Sequence, residues 1–524
     1  MRSHVRLLAV CICALAVPGL TAVAVADPGE GHADDIPAPP ITQPAAPPGI
    51  SENAVEFLDA IPNDGTTNSD LAFYGDLAYV GFYDGFRIVD ISNPADLKVV
   101  SETRCRANQG DLSVFATKDG RRILLQSIDR PVTAPDCSAT DTAVVQEDEG
   151  GHTVDRRRFG YEGLRVFDVT APKNPEYIGF YRTECGSHTH TLVPDKRGDK
   201  VFAYVASYPL TTNITPEIDW DVAGDLRCDP PHSKISVVGI PLDDPTGGEV
   251  TTRKLSSDTE FYDGDGPDGH SRPFQSCHDH QAFLARDIMV ASCAGDLQYW
   301  DISKRGNPSS ADGEAHTHIQ REVAVDDPST PDNERWESFD FMHNATVTWD
   351  GAVVAAVDES GGGVEPRCDG AASKRGFTWF YPLVEPGQPV DAFDELGRYM
   401  IPRPQGENDC VSHNGNVLPL SNGRYQQVQA FYFGGNSWFD FSNQAAANEI
   451  GYADLTDPPG GIGDAGSWST YWYNDVMYVN GGLGGTENRG FEAYRLKDPV
   501  TGVPVDTRDW SRMNPQTQEA WQAP

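Results

Sequence analysis

Four histidines recur at one place in a repeating strand pattern. They are His188 in Ser187-His188-Thr189-His190, His278 in Cys277-His278-Asp279-His280, His343 in Met342-His343-Asn344-Ala345 and His413 in Ser412-His413-Asn414-Gly415. A neutral imidazole offers one nitrogen lone pair, and several that converge suit iron, copper or zinc. Four such ligands would hold one ion and leave one or two positions for substrate, water or dioxygen. Residues i and i+2 of a strand share a face. His190 and His280 can therefore point with His188 and His278, as additional candidate ligands. Asp279, between two histidines, falls on the opposite face and can at best steady a ligand from behind. Glu359, after Val357-Asp358, is a possible carboxylate partner; a solvated loop acid is the plainer alternative.

The competing reading is a polar channel whose histidines bind only water. Six of the 13 histidines stand in equivalent positions, which chance explains poorly. Asn68 and Gln109 hold the corresponding place in the first two units, with Asp70 and Asp111 where the others have His190 and His280. His316-Thr317-His318 repeats the H-x-H form but is expected on a solvated outer strand. Asp263–Gly269 departs from calcium-loop spacing and reads as an acidic turn. Gly361–Gly363, Gly460-Gly461 and the run from Gly481 to Gly485 lack the context of a phosphate loop. Neither G-x-S-x-G nor H-E-x-x-H occurs, which argues against the commonest serine hydrolases and zinc proteases.

These candidates need strands to position them. Phe86–Ser92, Leu164–Thr170 and Leu297–Ser303 each alternate as a β-strand requires. Weaker copies lie at Ile235–Pro241, Phe377–Leu383, Trp438–Ser442 and Phe491–Leu496. Seven copies, with starts roughly 55–80 residues apart, fit blades with loop insertions. Further strands surround each copy, and no sustained helical stripe is present. The expected fold is all-β: a seven-bladed β-propeller with four-stranded antiparallel blades, its inner strands lining one channel. Ala54–Ala60 precedes the first unit and is expected to complete the last blade as its outer strand.

The ends and the cysteines suggest a compartment. Residues 1–26 read as a secretory signal peptide: Arg2 and Arg6, an apolar run, then Ala24-Val25-Ala26. Residues 27–52 read as a Pro/Ala-rich linker and residues 53–524 as one propeller domain. Cys11 and Cys13 leave with the signal. Eight cysteines remain, and sequential pairing is expected: Cys105 with Cys137, Cys185 with Cys228, Cys277 with Cys293, Cys368 with Cys410. A free Cys277 thiol beside His278 is the alternative. Asp and Glu number 78 against 40 Lys and Arg, a formal charge of −38. That surface repels nucleic acid and anionic lipid, and its field favours a cation in the channel. No membrane span is expected after signal cleavage, and the expected state is a secreted, extracellular monomer.

Phe86–Ser92, preceded by Gly81-Phe82-Tyr83-Asp84-Gly85, resembles the LVIVD repeat of exported bacterial and archaeal propeller proteins. The resemblance implies a propeller in an extracellular setting and no single activity. The histidine layout is similar to that of carotenoid cleavage oxygenases, which hold iron with four histidines from different blades. It is also similar to the selenium-binding-protein/methanethiol-oxidase propellers. Neither family's longer signatures are present, so neither implies a substrate here.

Two readings follow. The first is a metal-dependent extracellular protein, an oxidase or oxygenase acting on a small molecule. The second is a non-catalytic surface propeller that binds a protein or glycan through its loops, among them the insertions Pro131–Arg158, Thr211–His232 and Asp258–Gln275.

Overall fold

The strands arise from short runs of Val, Ile, Phe, Tyr and Trp broken by turn residues. In the first blade Asn68–Tyr74, Leu77–Phe82, Gly85–Asp90 and Lys98–Arg104 pair antiparallel in chain order. Gly75 turns the first hairpin at φ 60°. Gly85 opens the third strand, where a Cβ would lie 1.9 Å from the Thr103 carbonyl oxygen. The aspartate that ends the third strand makes its own turn. Asp90 accepts the Ser92 amide at 2.9 Å, Asp168 that of Thr170 at 2.9 Å, and Asp301 that of Ser303 at 2.7 Å. This Asx turn is the physical reason for the Asp-x-Ser/Thr ending of the repeat.

The computed structural model describes most of residues 49–505 and short pieces beyond. Residues 1–48, 210–230, 260–274, 361–375, 455–465 and 482–489, with some shorter stretches, lie outside the described residues. The expected signal, most of the expected linker, Asp263–Gly269, Gly361–Gly363, Gly460-Gly461, Cys228 and Cys368 fall there.

Among the described residues the strands build a seven-bladed, all-β propeller. All seven repeat copies form the third strands of their blades. The innermost strands are Asn68–Tyr74, Leu112–Ala116, Thr189–Pro194, Asp279–Phe283, Met342–Val347, Gly415–Val417 and Ser467–Tyr473. Each packs against the innermost strand of the next blade, and the seventh packs against the first. Apolar clusters fill the gaps between blades. Leu71, Val80 and Val89 of the first meet Tyr473, Tyr478 and Phe491 of the seventh.

The seventh blade takes its outer strand from the other end of the chain. Val55–Ile61 pairs antiparallel with Phe491–Leu496, as the sequence suggested. Ordered pairing begins a little earlier than residue 53: Gly49 and Ile50 pair with Asp454 and Ala453 at the edge of the sixth blade. Side chains also stitch the inner strands sideways. Thr189 Oγ1 donates to the His278 carbonyl at 2.7 Å, Asn344 donates to Asn414, and Ser469 Oγ donates to Asp70 Oδ1 at 2.8 Å.

Two disulfides match the sequential pairing, Cys105–Cys137 and Cys277–Cys293. The second excludes a free Cys277 thiol, because its two strands face each other across the turn Leu284–Arg286. Cys185 and Cys410 are also disulfide-bonded. Among the described residues no helix is long and apolar enough to cross a membrane.

Candidate metal centre

The four column histidines stand at one end of four consecutive inner strands. The backbone fixes three of them alike. The His188 amide donates to Ala206 O at 2.9 Å, His278 to Ser292 O at 2.7 Å and His413 to Ala430 O at 2.9 Å. His343 occupies a register break between Met342 and Asn344, a bulge that re-aims its side chain. The Met342 amide is tied to Ala294 O at 2.7 Å, just beyond the Cys277–Cys293 bridge. Trp468 occupies the matching break in the seventh blade, between Ser467 and Ser469.

The rings form an arc. Centroids are 4.2 Å apart for His188–His278, 3.9 Å for His278–His343 and 4.2 Å for His343–His413. Glu359 lies against the arc, with its carboxylate oxygens 3.6 Å from His343 Nε2 and 3.5 Å from His413 Nε2. Ligand atoms of His278, His343 and Glu359 all lie within 4.8 Å of one another. All five side chains belong to buried residues. Burial, followed by the neighbouring imidazoles, holds His278 and His343 well below the usual histidine range. His413 is pushed down to about 3, again chiefly by burial. These rings are therefore neutral and present lone pairs, the form a metal needs.

The outer contacts decide which nitrogen faces inward. His278 Nδ1 donates to the His343 carbonyl at 3.1 Å, and His413 Nδ1 donates to the Trp468 carbonyl. Both leave Nε2 for a ligand, the orientation typical of metal-bound histidine. The Tyr432 hydroxyl donates to Glu359 Oε1. Tyr432 has φ 44°, an uncommon backbone for a bulky residue, in the turn after Gln426–Ala430. His188 differs from the other three. Its Nδ1 is 3.2 Å from Asp129 Oδ2, and the Gln109 amide nitrogen is 2.8 Å from Nε2 and 3.3 Å from Nδ1.

His190 and His280 share their strand face with His188 and His278 but do not join the cluster. A propeller strand alternates between its two neighbouring blades, so the common face is turned sideways and not toward the axis. His190 Nδ1 is held by Ser127 Oγ at 2.8 Å and Asp111 Oδ2 at 2.9 Å in the second blade. His280 lies on the side of Ala282, whose core includes Tyr204 and Trp300, and burial pushes it down to about 4. Asp279 accepts the His280 amide at 2.7 Å. Burial, then the Asp111 and Asp70 charges, hold its carboxyl well above the usual range. It touches no imidazole of the arc in the contacts described above. His316 and His318 do lie on an outer strand, His316–Gln320, but His318 Nδ1 is bound by the buried carboxylate of Asp296 and not by solvent alone.

Several residues around the arc, Glu359 apart, escaped the sequence reading. Tyr208, Ala294, Glu359 and Tyr432 follow the second strands of the third to sixth blades. Aligning those strand ends, and not only the inner strands, brings Tyr208, Ala294 and Tyr432 to one offset: two residues past the carbonyl that receives the histidine amide. Asp129 comes from the second strand of the second blade, Arg122–Val132.

Residues 65–103, which span the first blade, match the model of the LVIVD repeat family. No curated protein matches the chain.

Proposed function

We propose that this LVIVD-repeat β-propeller is a secreted metalloprotein whose centre lies at the arc of histidines. One observation carries the reading: buried ligand atoms of His278, His343 and Glu359 within 4.8 Å of one another. His413 lies beside Glu359 as a fourth donor. Three imidazoles and a carboxylate, with a position left open, suit iron, copper or zinc. The expected activity is oxidation of a small molecule. Two disulfides support an oxidising compartment, where a cleaved leader would deliver the chain. The partner-binding alternative rests on insertions that lie largely outside the described residues.

Elemental analysis tests this. The exported protein, purified without a His tag, should carry about one transition-metal ion per chain, as one convergent cluster requires. His343→Ala and His413→Ala should lose it. A well-folded wild type that neither carries a metal nor takes one up on reconstitution sinks the proposal.

A further inference from the structure

We infer that His188 is not a metal ligand but a hydrogen-bond acceptor for a proton-bearing small molecule held at the Tyr208 side of the centre. This rests on the metal reading above.

Two observations set His188 apart. Its lone pair is already engaged. Asp129 is a carboxylate and accepts, so Nδ1 carries the proton and donates to it at 3.2 Å. Nε2 is then the acceptor, and the Gln109 amide donates to it at 2.8 Å. In His278 and His413 a backbone carbonyl takes the Nδ1 proton, and no side-chain amide occupies Nε2 in the contacts described.

The second observation is the asymmetry of the two ends of the arc. The His413 end is closed by Tyr432 and Trp468, with ring centroids at 4.6 and 5.1 Å and exposures of 2% and 8%. The His188 end is covered by Tyr208, at 4.9 Å from His188 and 5.6 Å from His278. Tyr208 is only half-buried. A molecule approaching the centre from that end passes Tyr208 and meets His188 Nε2. To be held there it must donate a hydrogen bond, because this nitrogen only accepts. Its chemical class is a small O–H or N–H donor: water, an alcohol, a phenol or an amine. It competes with the Gln109 amide for one lone pair, so Gln109 is a positioning residue that keeps the acceptor occupied until the molecule arrives.

The test uses full-length protein loaded with cobalt(II), whose visible spectrum reports coordination, and two probes. Hydroxylamine has protons to donate; azide has none. His188→Ala should keep one cobalt per chain, with affinity within threefold of wild type, while His278→Ala loses it. His188→Ala should bind hydroxylamine about tenfold more weakly, the size of one lost hydrogen bond, with azide affinity changed less than twofold. Gln109→Leu should tighten hydroxylamine severalfold by removing the competing donor. Loss of cobalt from a folded His188→Ala makes His188 a ligand and overturns the inference. Equal weakening of both probes, or of neither, also overturns it. If His188→Ala does not fold, the Gln109→Leu result decides, and an unchanged hydroxylamine affinity counts against the inference. A wild type that takes up no cobalt overturns the metal reading itself.

Discussion

Replacing Glu359 by glutamine removes a negative charge from the centre and keeps the side-chain shape. The amide oxygen still accepts from Tyr432, so the local turn has its hydrogen bond. Glu359 lies 3.6 and 3.5 Å from two imidazole nitrogens, so a cation shared with them lies within contact range of the carboxylate. At an effective dielectric of 20, one unit of attraction across 4 Å is worth about 4 kcal/mol. Each 1.4 kcal/mol is tenfold in affinity, so Glu359→Gln should weaken metal binding about a thousandfold. A competition titration against a chelating indicator measures this directly. Thermal unfolding gives a second view. Metal at a thousand times its Kd should stabilise the wild type by about 4 kcal/mol, a gain that chelator removes and the variant lacks. In chelator the two proteins should unfold alike. A variant Kd within threefold of wild type would refute the assignment of Glu359 to the metal. An equal loss of Tm in chelator would make its role structural.

Three other outcomes are expected. Replacing Cys277 and Cys293 by serine should cost about 3 kcal/mol of stability in denaturant unfolding, from the loop entropy of a closed segment of this size. Because the bridge adjoins His278, metal affinity should fall as well. Asp70 is raised to about 7, by burial first and then by the charge of Asp111. Its folded value lies above its unfolded one, so its contribution to stability is fully present below about pH 4 and is lost as pH rises through 7. Asp70→Asn keeps the acceptor for Leu71 and Ser469. It should stabilise the protein at pH 7.5, by at most about 4 kcal/mol, with the difference vanishing near pH 4 in paired urea titrations. Arg403 is buried between Glu449 and Asp454, and Arg403→Leu should cost about 3–5 kcal/mol by leaving two carboxylates unpaired. A loss below 1 kcal/mol would contradict that account.

The blades were legible because a strand's period of two and its Asp-x-Ser/Thr turn are local properties. Closure by the segment at Val55 was legible for a related reason: a lone alternating strand ahead of the first unit has nowhere else to bury its face. The histidine column could be read because repeats place like residues alike. The failures lie where the face of a strand is not the face of the molecule. His190 and His280 share the parity of His188 and His278, yet two residues further along the strand that parity looks into a neighbouring blade. Asp129 and Tyr432 were invisible for another reason. Each reaches the arc from a second strand, across a contact between blades that no spacing along the chain encodes. Glu359 was noticed from its position alone; its two imidazole neighbours come from separate blades.

The strand that completes the seventh blade also fixes an order of assembly. Glu56 and its partner Arg495 are 439 residues apart in sequence. On a chain made from its N-terminus, the first blade segment to emerge waits for nearly the last. Until then the ring is open, and the edges of the first and seventh blades are bare, a state prone to pairing with other chains. The blades carrying His188, His278 and His343 can form meanwhile from contacts closer in sequence. His413 cannot be finished with them, because the carbonyl that holds its Nδ1 belongs to Trp468 of the closing blade. Metal affinity should therefore mature last, and a chain arrested before residue 467 should carry three of the four histidines in formed blades without the lock on the fourth.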